Sequence, residues 1–407
     1  MKKLNSWLVA PQPRLGVIGL LVLLVVASLI TPLSLDMYTP AVPHMTDHFN
    51  TNASTVNLTL VGYYLFFSVG LLIFGPISDK HGRRPILIGG MAVYTVGSAL
   101  CAMATSIWAL IAFRVVEALG AGAVSAVSTA VVKDAFCSER REAVLSVVQV
   151  MFVIGPVLAP VVGAFIVRIA NWRVTFWVLA VVGVICLVLT ILFKETLPKD
   201  ARYQGSVLGS LCNLGVVAKN KGFISFLLIV GIFNLPFMAY IAVASYVYID
   251  FFGLDEMGYS LYFAIAALLT AVGPFIWLVA QKFMNARQFT NILLTIAGLS
   301  GVAMLCVGQI SPALFCVTFL VFAVMQACVR PYSTNILLSQ QEEDTGAASS
   351  LINFSHTALG SLGMVVAVLP WANYVEGVGI IIVASMIIAG LGWLALLRSN
   401  VPLKGVK

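Results

Sequence analysis

Three charged residues interrupt long apolar runs of the sequence and could bind charge or carry protons. Asp36 is the only acid in the run at 16–42, and Arg114 and Glu117 lie in the run at 107–132. A charged side chain in hydrocarbon costs about 2.5–3.5 kcal/mol on insertion scales, so each is expected to face a partner or a water-filled cavity. These three residues are therefore the candidates for proton coupling.

The spacing of the three residues predicts how they meet. Residues three apart share a helix face, so Glu117 can pair with Arg114, and the pair could act in transport or could only lock helix packing. At a rise of about 1.5 Å per helical residue, Asp36 lies roughly 10 Å and Arg114 roughly 12 Å below the outer end of its own helix. We therefore expect Asp36 and Arg114 to meet across a cavity. The alternative is that Asp36 is merely solvated among lipid headgroups.

The composition identifies the medium around these residues. Of the 407 residues, 60% are hydrophobic and 10% are charged, and the mean hydropathy is +1.02. A soluble domain carries about 25% charged residues, and no soluble fold can cover so much apolar surface. Each membrane crossing needs about 20 apolar residues. The sequence therefore predicts an all-α polytopic membrane protein with twelve transmembrane helices.

The apolar runs fall into two blocks of six. We predict an N-terminal six-helix bundle at 1–193, a cytoplasmic linker at 194–222 and a C-terminal six-helix bundle at 223–407, related by pseudo-symmetry. With both termini in the cytoplasm, all but four of the 23 Lys and Arg residues fall on the cytoplasmic side, as the positive-inside rule requires. The four exceptions are Arg114, Arg168, Arg173 and Arg330.

A charged motif, GPISDKHGRRP at 75–85, follows the second run. It resembles motif A of the major facilitator superfamily, which implies a role in gating and conformational coupling. Its glycines would permit close helix approach and a tight turn. Its acid would pair with a cation or a helix N-terminus, and its arginines would anchor the cytoplasmic end. The residues concerned are Gly75, Asp79, Gly82, Arg83 and Arg84.

Two further motifs lie in the fourth and fifth runs. RVVEALGAG at 114–122 resembles motif B of the same superfamily, and GPVLAPVVGA at 155–164 resembles motif C. In the superfamily, motif C marks exporters that exchange substrate for protons. Its prolines predict a bend in the fifth helix, and its small residues predict close packing. The antiporter-motif residues are Gly155, Pro156, Pro160 and Gly163.

The runs DMYTPAVP at 36–43 and SYVYIDFFGLDEMGYSLYF at 245–263 complete this pattern. With the three motifs, they make the chain similar to the Bcr/CflA type of twelve-helix drug:proton antiporter. The resemblance covers nearly the whole chain and implies the major facilitator fold in a bacterial inner (cytoplasmic) membrane. The second-half counterpart of motif A, QKFMNARQ at 281–288, contains no acid, which leaves the coupling role of that loop open.

Polar and aromatic residues in other runs are candidates for the substrate cavity. The seventh helix should border this cavity, and Asn353 and His356 share a face of the eleventh. Arg330, in the tenth helix, could be an interfacial anchor or a functional charge. The candidate cavity residues are Tyr38, Tyr63, Asn234, Tyr240, Asn353 and His356.

Together these features predict a proton-coupled multidrug efflux antiporter. It would export lipophilic, neutral or weakly charged antimicrobial compounds by alternating access; the alternative is a proton-coupled importer of a small metabolite on the same fold. The sequence contains no Walker A run and no GxSxG elbow, so we expect neither an ATP-driven pump nor an enzyme. No cofactor or metal is expected. The expected partners are a small-molecule drug, protons and membrane lipid, without nucleic acid, and the chain should act as a monomer.

Overall fold

The computed structural model describes residues 7–340 and 345–406, most of which are helical. The helices of the first half are α1 (Gly16–Asp36), α2 (Val42–His48), α3 (Ala53–His81), α4 (Arg83–Ala102), α5 (Ile107–Ala135), α6 (Ser138–Ile169) and α7 (Trp172–Leu192). Those of the second half are α8 (Val207–Ala218), α9 (Lys221–Gly231), α10 (Asn234–Ser245), α11 (Glu256–Thr270), α12 (Gly273–Ala280), α13 (Ala286–Val307), α14 (Pro312–Ser339), α15 (Thr345–Ala367) and α16 (Tyr374–Arg398).

Within the described residues, twelve helical segments are long and apolar enough to cross a membrane. Three of these spans are built from more than one helix: Gly16–His48, Lys221–Phe251 and Glu256–Ala280. Helices dominate because hydrocarbon offers no hydrogen-bond partner to an exposed backbone. The predicted all-α fold with twelve membrane helices is confirmed, while the cytoplasmic position of both termini stays a prediction.

Two spans are interrupted beside candidate site residues. In the first span, α1 ends at Asp36 and a short 3₁₀ turn follows at Thr39–Ala41. Pro40 and Pro43 lack the backbone N–H that a continuous helix would need at these positions. The seventh span breaks directly before Asn234, the first residue of α10. Breaks at membrane depth are tolerated where the backbone is buried in protein or lines a water-filled cavity.

The chain divides into two compact units. The first unit is Met1–Ala41 with Gly62–Leu211, and the second is Val42–Val61 with Cys212–Lys407. The predicted bundles assigned residues 42–61 to the first six helices, whereas the structure groups them with the later ones. One cause is local: the Asn57 Nδ2 atom donates a hydrogen bond to the carbonyl of Met364 at 2.7 Å.

In the first unit, the contact between α4 and α5 depends on small residues. A Cβ atom added to Gly97 of α4 would lie 2.7 Å from the backbone of Glu117 in α5. The absence of a side chain at Gly97 therefore lets the two helices approach closely. This packing brings the side chains of α4 next to the charged pair predicted in α5.

Candidate functional site

The centre of the candidate site in the first unit is an ion pair within α5. The Arg114 Nη1 atom lies 2.9 Å from Glu117 Oε2, and both side chains are fully buried. The Ser98 hydroxyl of α4 donates to Glu117 Oε1 at 3.0 Å, and the Cys101 thiol donates to Oε2 at 3.6 Å. The pairing predicted from the three-residue spacing is thus present, and α4 supplies further donors to the carboxylate.

Aromatic rings surround the guanidinium of Arg114. Its Cζ atom lies 4.1 Å from the ring centroid of Tyr63, 4.8 Å from that of Tyr38 and 5.6 Å from that of Phe176. Such contacts attract a cation to the electron-rich face of a ring and are worth about 2 kcal/mol when desolvated. Tyr38 and Tyr63, two predicted cavity residues, are fully buried in this aromatic cage.

Asp36, at the end of α1, is the third predicted charge. It is only 3% exposed, and its Oδ1 atom accepts no hydrogen bond from residues 7–340 and 345–406. Among the same residues Asp36 forms no ion pair, and Glu117 is the carboxylate that contacts Arg114. The alternative of a solvated Asp36 is therefore wrong, and the described residues show no direct ion pair between Asp36 and Arg114; a meeting of the two across a cavity stays a prediction. Rise per residue gives the depth of a side chain but not the direction in which it points.

The antiporter motif packs against the end of α1. A Cβ atom on Gly163 would collide with the carbonyl oxygen of Met37, and a Cβ atom on Gly155 would collide with the ring of Pro32. These glycines thus give α6 its close approach to the helix that ends at Asp36. Pro156 and Pro160 both lie inside α6, which is one continuous helix from Ser138 to Ile169.

The gating motif forms a charged network at the junction of α3 and α4. The Arg83 Nη1 atom pairs with Asp79, and its Nε atom lies 2.8 Å from Asp134 Oδ2. Gly82 separates the two helices with φ of +101°, a conformation that other residues rarely adopt. The predicted pairing of Asp79 with a cation and the predicted turn at Gly82 are both present.

One residue of this network was not anticipated from the sequence. The Glu195 carboxylate, in the segment after α7, accepts hydrogen bonds from the backbone N–H groups of Arg83 and Arg84 at 3.0 and 3.1 Å. The Arg84 Nη2 atom donates to the carbonyl of Ile191 at 2.8 Å. Gly75, by contrast, is not at a close helix contact: an added Cβ atom would meet no atom of the described residues.

The second unit brings together polar residues from three helices, which we call the amide cluster: Asn234, Gln326, Arg330, Asn353 and His356. Asn234 Nδ2 donates to the backbone carbonyl of His356 at 2.6 Å, and Gln326 Nε2 donates to Asn234 Oδ1 at 3.4 Å. Arg330 Nη2 donates to Asn353 Oδ1 at 3.1 Å. Three of the predicted cavity residues thus lie together, and Gln326 was not among the candidates.

Tyr240, the remaining predicted cavity residue, lies in an aromatic core. It is only 2% exposed, and its ring stacks on Phe319 with centroids 3.5 Å apart. Phe263 and Phe315 flank the same ring. A substrate could contact Tyr240 only if these rings moved.

The sequence profile of the Major Facilitator Superfamily matches residues 24–364. The chain belongs to the Major Facilitator Superfamily. It is therefore a membrane transporter, and the twelve apolar spans found in its described residues make it a multi-pass protein of the inner membrane.

Relatives of the chain bear names of transporters and resistance proteins. An uncharacterised transporter of Bacillus subtilis (strain 168), YdgK, is 27% identical over 94% of this chain and 96% of its own length. A bicyclomycin resistance protein homologue of Haemophilus influenzae is 25% identical over 66% and 65%. The multidrug resistance protein MdtL of Escherichia coli O81 is 32% identical over 42% and 44%. These relatives confirm the resemblance to the Bcr/CflA type.

Solved structures of other transporters share the fold. A crystal structure of the peptide transporter POT in complex with sulfate aligns with a TM-score of 0.76 over 97% of both chains. The two sequences are only 16% identical, so this likeness concerns the arrangement of helices and not the substrate.

Proposed function

We propose that this transporter exports lipophilic, neutral or weakly charged antimicrobial compounds in exchange for protons, by alternating access and as a monomer. The observation that carries the proposal is the environment of Asp36. This carboxyl is buried in a membrane span, and its Oδ1 atom has no hydrogen-bond partner among the described residues. A buried acid of this kind is a candidate for proton binding, because gaining a proton removes a charge that its surroundings do not compensate.

The position of Asp36 supports coupling to movement. It ends α1, and the next residue, Met37, contacts Gly163 of the antiporter motif through its carbonyl. A proton that enters from outside would bind Asp36 and favour release of the drug; loss of the proton to the cytoplasm would restore drug affinity. Alternating access needs a shift between an inward-open and an outward-open state. Protonation of Asp36 can cause this shift if it changes the free energies of the two states by different amounts.

The contact between Arg114 and Glu117 changes the charge balance on which this proposal depends. If Arg114 faced Asp36 alone, protonation of Asp36 would leave a net positive site. With Glu117 paired to Arg114, protonation of Asp36 instead brings the formal charge of the three residues from −1 to neutral. Each charge carried across the membrane adds about 2.3 kcal/mol per 100 mV of membrane potential.

Transport by proteoliposomes under an imposed pH gradient tests the proposal. The probe is tritiated chloramphenicol, a neutral compound that a pH gradient alone does not concentrate. An antiporter accumulates it in vesicles with an acidic lumen, whereas a symporter accumulates it when the outer medium is acidic, whatever the orientation of the protein. Accumulation with an acidic outer medium would establish import, the alternative reading of the sequence.

The coupling residue is tested with a matched pair of variants in the same assay. We expect Asp36→Asn to abolish gradient-driven accumulation, because an amide cannot exchange a proton at this position, while folding stays intact. Asp47→Asn removes an exposed carboxyl of α2 and should transport normally. A wild-type rate for Asp36→Asn would refute the assignment of Asp36 as the proton site.

A further inference from the structure

Arg330 is the only charged residue in the interior of the last six membrane spans of the described chain. It lies nine residues before the end of α14 at Ser339, or about 13 Å from that end at 1.5 Å per residue. The other charges of these spans lie at or next to span ends: Lys221, Asp250, Glu256, Arg287, Glu376 and Arg398.

The guanidinium of Arg330 has no carboxylate partner among residues 7–340 and 345–406. Its side-chain hydrogen bond goes to the neutral oxygen of Asn353, and the sequence contains no acid between Glu256 and Glu342. A guanidinium carries five N–H donors and always keeps its charge. Since Arg330 is exposed, its other N–H groups can donate hydrogen bonds to a bound small molecule.

The neighbours of Arg330 add polarity without adding charge. Asn353, its hydrogen-bond partner, is also exposed. His356 lies one helical turn further along α15, and its Nε2 atom is buried without a hydrogen-bond partner among the described residues. Exposing Arg330 and its polar neighbours to lipid tails would cost free energy. An interfacial anchor would instead extend its charge from a helix end to the headgroups, and Arg330 is not at a helix end.

We propose that Arg330, Asn353 and His356 recognise an oxyanion on a transported compound, such as a carboxylate, sulfonate or phosphonate on a lipophilic body. The planar guanidinium can donate two parallel hydrogen bonds to such a group, while Asn353 keeps it in place and the Nε2 atom of His356 offers a further polar contact. This site rests on the proposed export function and narrows its substrate class: lipophilic anions are preferred over lipophilic cations.

Equilibrium binding of two dyes to the purified protein in nanodiscs tests the preference. Fluorescein is anionic and rhodamine 123 is cationic, and both carry the same fused ring system, so fluorescence anisotropy compares charge at nearly constant shape. We expect the wild type to bind fluorescein about tenfold more tightly than rhodamine 123, which corresponds to the difference made by one charge-assisted hydrogen bond. Arg330→Gln should remove this preference, and Arg330→Lys should retain part of it.

Controls separate recognition from folding and from lipid binding. Arg398→Gln removes an exposed cation at the end of α16 and should leave both affinities unchanged, and thermal unfolding verifies that Arg330→Gln is folded. Unchanged fluorescein binding by folded Arg330→Gln, or no fluorescein binding by the wild type, would overturn the proposal. So would loss of co-purified phosphatidylglycerol from Arg330→Gln without a change in dye affinity, because the oxyanion would then be a lipid headgroup.

The binding assay needs no proton gradient, so its outcome is independent of the export proposal. Dye preference without gradient-driven transport would support the anion site and refute proton exchange. Transport that depends on Asp36, combined with equal affinities for the two dyes, would support proton exchange and refute the anion site.

Discussion

Replacement of Glu117 is the sharpest perturbation of the buried ion pair. Glu117→Gln keeps the size of the side chain and can keep a contact with Ser98, but it leaves Arg114 as a buried cation without its carboxylate. Removing one partner of a buried pair costs about 3–5 kcal/mol. The aromatic cage stays in place, so we expect the lower end of this range, about 3 kcal/mol, or roughly a hundredfold in the unfolding equilibrium.

The assay is unfolding of the purified protein in mixed micelles by titration with dodecyl sulfate, followed by circular dichroism. The double variant Arg114→Met with Glu117→Gln removes both charges and should recover most of the lost stability, because no uncompensated charge remains. Glu139→Gln, an exposed position at the start of α6, is the control and should change the free energy of unfolding by less than about 0.5 kcal/mol.

Two results would refute this reasoning. Wild-type stability of Glu117→Gln would show that the carboxylate does not compensate Arg114. A double variant no more stable than Glu117→Gln would show that the loss came from packing and not from the unpaired charge. Transport by the double variant separately tests the two roles of the pair that the sequence left open. A wild-type transport rate would show that the pair only stabilises helix packing, and loss of transport would show that it takes part in transport.

Five further substitutions, at Gly163, Gly75, Glu195 and Tyr63, test other contacts of the first unit. Gly163→Val should cost about 1–3 kcal/mol of stability by forcing α6 away from the Met37 carbonyl, whereas Gly75→Ala, where the added atom meets none of the described residues, should leave thermal stability and transport unchanged. Glu195→Ala should cost about 1 kcal/mol, as loss of a helix N-terminal cap does, and should slow transport; equal melting temperatures would contradict the role of its hydrogen bonds. Tyr63→Phe keeps the ring over Arg114 and should transport nearly normally, while Tyr63→Leu should lose about 2 kcal/mol of cation–π stabilisation; equal stability of these two variants would contradict the aromatic cage.

Local spacing along a helix was the most predictive property of the sequence. An apolar run of about 20 residues satisfies its backbone hydrogen bonds in hydrocarbon by forming a helix, so the twelve spans could be predicted directly. The contact between Arg114 and Glu117 followed from helix geometry, since both residues belong to the same helix. The turn at Gly82 followed from a glycine between two charged helix ends.

Contacts between distant segments could not be predicted in the same way. Asp36 and Arg114 were matched by depth alone, and depth does not fix rotation about the helix axis. Glu195 contacts the backbone of Arg83 across 112 positions of the chain, and nothing in the short segment after α7 specifies this partner. The aromatic core around Tyr240 likewise depends on rings from several helices, so its burial was not visible in the seventh run.

The thiol of Cys101 gives the protein an internal reporter. It lies 3.6 Å from Glu117 Oε2 and is fully buried, so its S–H stretching vibration senses the charge on that carboxylate. Infrared difference spectra of the wild type and Cys101→Ala would isolate this band from those of the other cysteines. The ionisation of the buried pair could then be followed during transport without a label and without altering either partner.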